Sequence, residues 1–216
     1  MNRPMRLAAA CSALLVVATA TPAAANGKAA LLTPETAREK VTLNEDPLDI
    51  EGVLSTRDVL RSTRGVLRTP YNDNHLRAYV DRKTGETRFE VRQTLQYMGS
   101  YRDFGHVNYE TSSWPTTAKL RKVESNQPAC DAIDPQSSCF EEVSFVVGEA
   151  ELRRLAAGYQ PGAENTWSFK FKPDQGREER SSLNRAEIAG LLQAVDAYRH
   201  RLAAGQSLAL ASPGAE

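Results

Sequence analysis

The chain has 216 residues, 27 of them Lys or Arg and 27 Asp or Glu, so its formal charge is zero. Such balance shows no basic stripe and argues against a nucleic-acid binder or a polybasic lipid-surface binder. Apolar residues make up 41% of the chain, enough for one domain with a real core.

The first residues, Met-Asn-Arg-Pro-Met-Arg, carry two positive charges and no acid, and an apolar run follows from Leu7 to Thr21. Pro22 breaks that run, and Ala23-Ala24-Ala25 supplies small residues for signal peptidase. These are the parts of a secretory signal, with cleavage expected between Ala25 and Asn26. An uncleaved anchor would need about 18–20 apolar residues, more than this run offers. A lipoprotein would need a cysteine after the run, whereas Cys11 sits near its start. Residues 26–216 then form a periplasmic or secreted protein with 25 basic and 27 acidic residues and no transmembrane segment.

Residues 26–44 read as a leader with one short helix, capped by Thr33 with Pro34 at its first position. Glu45 to Thr69 reads as short strands and turns. From His75 the apolar residues Leu76, Ala78 and Val80 alternate with polar ones, and Gly85 closes a hairpin onto a return strand. There Phe89, Val91, Leu95 and Tyr97 share one face, on which Gln93 is the single polar intruder. Strands are expected at 107–113, 118–124 and 140–147, the last with Val143, Phe145 and Val147 inward. Glu149 to Gly158 is a short helix. Trp167, Phe169 and Phe171 give one apolar strand face, with Lys170 and Lys172 on the other. Residues 173–182 read as a polar loop. The last helix has Asn184 as its cap, Glu187 completing a capping box, and a stripe through Ile188, Leu191, Leu192, Val195, Tyr198 and Leu202. Residues 205–216 read as a disordered tail.

Strands in a run with helices added late predict an α+β fold. Residues 45–204 form a single domain: an antiparallel sheet of about five to seven strands with the C-terminal helix on one face. The alternative is a small β-sandwich or barrel with appended helices.

Once Cys11 leaves with the signal, Cys130 and Cys139 are an even pair in an oxidising compartment, and a structural disulfide is expected. The spacing is not C-x-x-C, and no histidine follows at metal-ligand spacing. Neither a serine-nucleophile elbow, a phosphate loop nor a dinucleotide fingerprint occurs, so no cofactor is implied. Glu141 and Glu142 adjoin on a strand and point to opposite faces. His75 with Asp73, and His106 with Asp103, could form a metal or acid–base cluster if the strands brought the two segments together; Asn72-Asp73-Asn74 is equally a turn. Tyr97, Tyr101, Phe104, Tyr109 and Trp114 fall in one stretch with the composition of a recognition surface, or equally of a packed sheet rim. The expectation is therefore a non-enzymatic exported domain that binds an envelope protein or small envelope ligand through those rings. A metal-dependent hydrolase using His75 and His106 is the alternative.

Overall fold

The computed structural model describes residues 31–60, 73–130 and 138–211. The expected signal segment, residues 1–25, lies outside them. Among the described residues no helix is long and apolar enough to cross a membrane.

The chain runs α1 (Pro34–Glu39), β1 (Thr42–Asn44), β2 (Glu51–Ser55), β3 (Asn74–Asp81), β4 (Thr87–Met98), β5 (Phe104–Tyr109), β6 (Thr116–Lys119) and β7 (Arg121–Ser125). It continues through α2 (Gln127–Cys130), β8 (Ser138–Val147), α3 (Glu149–Ala157), β9 (Thr166–Pro173), β10 (Glu179–Asn184) and α4 (Arg185–Ala211). The fold is α+β, with two antiparallel sheets. Six strands form one in the order β1-β2-β3-β4-β8-β7, and four form the other in the order β10-β9-β5-β6.

The six-stranded sheet, with the C-terminal helix on one face, is the expected one, and a second sheet joins it because the strand expected at 118–124 bends. Leu120 is the hinge: β6 pairs with β5 in the small sheet, β7 pairs with β8 in the large one, and the Leu120 N–H donates to Gly105 O at 2.8 Å. A further strand, β10, occupies part of the segment read as a loop. Its sequence Glu-Arg-Ser-Ser-Leu-Asn has no apolar alternation, since it is a sheet edge that buries only Leu183 and Asn184.

Alternation on β3, β4 and β8 places Leu76, Ala78, Val80, Phe89, Val91, Leu95, Val143, Phe145 and Val147 on one buried face. Two covers share that face. The small sheet contributes Tyr109, Trp167, Phe169 and Phe171, whose ring centroids lie 5.5 to 6.4 Å from that of Phe145. Helix α4 covers β2 and β3 with Ile188, Leu191, Leu192, Val195 and Tyr198, all buried as its stripe predicts. It runs on through Gly205 to Ala211, into the stretch read as a tail. Arg199 grips both Glu149 oxygens, at 2.9 and 3.0 Å, and so ties α3 to α4. Cys130 and Cys139 form a disulfide, both buried, with Cα atoms 4.9 Å apart.

The leader helix α1 forms as its cap predicts, with the Thr33 hydroxyl accepting from Thr36 N. It lies against α4 where Gly190 allows the closest approach. A Cβ at 190 would stand 2.7 Å from both Ala37 Cβ and Arg38 N. Gly to Ala in a helix ordinarily stabilises by about 1 kcal/mol. Gly190→Ala is expected instead to lower the unfolding free energy by about 1–2 kcal/mol in denaturant titration, because the backbone of α1 must move. Gly205→Ala, which meets nothing within 4 Å, is expected to cost nothing.

Candidate functional site

Of the four sequence candidates for a catalytic cluster, the two histidines lie on different sheets, and Asp73 and Asp103 just precede β3 and β5. His75 sits on β3, on the face of the large sheet opposite Leu76 and Ala78. His106 projects from the outer face of the small sheet, in register between Lys119 and Lys172. The hydrophobic core separates the two faces. Asp103, at φ 54°, forms an ion pair with Lys122, and the Asp73 carbonyl accepts from Thr94 N at 2.8 Å. Among the described residues no three His, Cys, Asp or Glu side chains stand close enough to hold a metal ion. His200 lines a shallow groove between the β3–β4 turn and α4.

The aromatic segment is also divided. Tyr97, Tyr101 and Phe104 are buried, and Tyr109 stacks on Phe145. Trp114, 81% exposed at the β5–β6 turn, is the one ring of the five that faces solvent. The other four have packing partners that sequence spacing does not reveal. Tyr97 donates to the buried Glu141 carboxylate and accepts from Arg102 N at 2.9 Å, while Glu141 Oε2 also accepts from Phe104 N at 3.2 Å. Burial, and then the Glu141 carboxylate, pushes the Tyr97 phenol above its ordinary range and keeps it a donor. Glu141 therefore fastens the crossing from the large sheet to the small one. Its neighbour Glu142 points to the other face, as strand geometry requires.

That other face carries a dense polar array. Among the described residues no helix or strand packs on it, yet Glu90 is 1% exposed, Ser144 1% and His75 7%. Long cationic side chains cover them. Glu90 Oε2 faces Arg88 Nη1 at 3.1 Å, and its Oε1 faces Arg121 Nη2 at 2.6 Å and Arg92 Nε at 3.8 Å. Arg92 continues outward to Glu142 Oε1 and to the Tyr79 hydroxyl, each at 3.1 Å, and the Arg88 guanidinium lies 4.0 Å above the Tyr79 ring. Burial works to raise the Glu90 carboxyl, but the Ser144 hydroxyl beside it and the Arg121 and Arg92 cations outweigh burial and hold it below its ordinary range. Glu90 is thus a buried anion that organises three arginines.

Arg77 stands directly across the β3–β4 ladder from Glu90 but does not pair with it, since other arginines occupy both of that carboxylate's oxygens. Its Nε donates instead to His75 Nε2 at 3.3 Å. Burial first, then the charges of Arg77, Arg57 and Arg92, drive the His75 pKa down to about 3, so the imidazole is neutral and accepts. Nothing in the spacing of His75 marked this role. The signal was the strand alternation itself, which placed Arg77, Arg88, Glu90 and Arg92 together on the solvent-side face.

Glu187 is the other residue whose role the sequence missed. Asn184 Oδ1 accepts from Ala186 N at 2.8 Å, while Glu187 turns into the core and accepts from the Thr56 hydroxyl, whose oxygen in turn accepts from Leu76 N at 2.9 Å. Burial raises its pKa to about 8. No protein-family model matches the chain, and neither a curated protein nor a solved structure matches it.

The two buried groups give opposite pH dependences. Glu187 holds a proton in the folded state that the unfolded chain releases near 4.5, so its contribution is lost as pH rises from 4.5 to 8. Neutral His75 costs stability as pH falls from 6.5 towards 3. Between 6.5 and 8 the Glu187 slope stands alone, at roughly 1.4 kcal/mol per pH unit as an upper bound. Glu187→Gln, which keeps the acceptor for Thr56, is expected to flatten the loss of stability over that window in denaturant titrations. An unchanged slope would show that the folded chain does not hold that proton.

Proposed function

We propose that this chain is an exported, non-enzymatic domain that binds an anionic ligand or partner on the outer face of its six-stranded sheet. One observation carries the reading. That face holds Arg77, Arg88, Arg92 and Arg121, with Arg57 just beyond β2, interleaved with Glu90, Glu142 and Glu124, while Glu51 and Asp81 lie together at its far end. The neutral His75 adds no charge but fixes geometry. Guanidinium groups held by neighbours in a defined plane favour oxyanions by forming paired, charge-assisted hydrogen bonds.

The compartment belongs to the same proposal. A charged n-region, an apolar run and Ala23-Ala24-Ala25 support export, and a disulfide between Cys130 and Cys139 is compatible with an oxidising location such as the periplasm. An envelope ligand rich in phosphate, sulfate or carboxylate groups would suit the face.

Amide chemical shifts of the 15N-labelled protein, recorded while a short sulfated oligosaccharide is added at low salt, test the reading. The expected shifts cluster on β3, β4 and β8 and vanish at high ionic strength. Shifts confined to the Lys170–Lys172 face of the small sheet, or none at all, would overturn it.

A further inference from the structure

Within that face the arginines are not equivalent. Arg88, Arg92 and Arg121 are anchored on Glu90, and Arg92 also on Glu142. Arg77 and Arg57 have no carboxylate partner among the described residues. Arg77 is nonetheless not loose. Its Nε is tied to the His75 lone pair on the same strand face, two residues away, and the fork formed by its two Nη groups is left for an external acceptor. Arg57, exposed just beyond β2, follows by two residues Ser55, which stands directly across the ladder from Arg77. Two cations without a carboxylate partner among the described residues, beside a buried neutral ring, match a ligand group of two negative charges. A single carboxylate would neutralise only one of them.

We propose that Arg77 and Arg57, with His75 positioning Arg77, form a clamp for a phosphate or sulfate group. This rests on the reading of the outer face as an anion-binding surface and names the place on it where the ligand's charge is taken. Arg77 offers a bidentate fork, Arg57 a second cation, and His75 holds the Arg77 plane by accepting from Nε. His75 is here a positioning residue, because it acts through Arg77. The three arginines around Glu90 hold the shape of the surface, each already engaging a carboxylate.

Inorganic phosphate and sulfate, titrated separately into the full-length protein at low ionic strength and followed by amide shifts, test the assignment, with succinate as the carboxylate control. Phosphate and sulfate are expected to shift the amides around His75 and Arg77. Arg77→Gln and Arg57→Gln should each weaken binding about tenfold, the loss of one charge-assisted contact. Arg88→Gln, which leaves Glu90 paired with Arg121, should change it less than about twofold on the same scale. His75→Gln, which still offers an acceptor to Arg77, should retain more binding than His75→Ala.

Anion binding on β3, β4 and β8 that Arg88→Gln weakens as much as Arg77→Gln would overturn the clamp and leave the surface reading standing. Succinate bound as tightly as phosphate would overturn the choice of a phosphate or sulfate group. No shift on that face with any of the three anions or with the sulfated oligosaccharide would overturn both proposals. Matching amide spectra of the free proteins establish that the variants are folded.

Discussion

A sheet with one apolar face must cover that face, and in this chain the cover comes in two pieces that divide the work along β3, β4 and β8. Phe145 marks one half, where its ring meets Tyr109, Trp167, Phe169 and Phe171 of the small sheet. Helix α4 supplies the other half over β2 and β3. Neither cover alone spans six strands, so the chain must change sheets twice between β4 and β7. The two crossings are fastened by different means. Glu141 receives Tyr97 and Phe104 N at the first, and a single buried residue, Leu120, makes the second. Each crossing satisfies backbone donors that would otherwise be stranded at the edge of the core.

Both covers lie on one side, and among the described residues the opposite face of the large sheet is left to side chains alone. There the physics is electrostatic. Glu90 is buried among the arginines that neutralise it, and Tyr79 supplies a ring for Arg88 and a hydroxyl for Arg92. Glu90 and Arg92 keep their orientation because each is bonded at more than one point, unlike isolated exposed pairs, which contribute little. The consequence is a rigid polar surface in which the anchored arginines differ from Arg57 and Arg77 in kind. A buried acid on the other side of β2, Glu187, links the start of α4 to Thr56 and Leu76 and so joins the helix to the strand that carries His75.

The sequence by itself determined the compositional class, the pairing of Cys130 with Cys139, and each element whose period is strong: β3, β4, β8, β9, α3 and α4. Alternation and helical spacing are local, so they survive whatever the rest of the chain does. It also determined which residues of β4 and β8 share a face, which is why Glu141 and Glu142 could be separated before any coordinates. Tertiary structure alone decided that one strand would bend at Leu120 and join a second sheet to the first, since a bend leaves no period. It decided that a polar edge would pair as β10, because an edge needs backbone more than side chains. And it decided that Tyr97 and Glu187 would turn inward while Arg77 would leave Glu90 for His75, because such choices depend on which oxygens distant residues have already occupied.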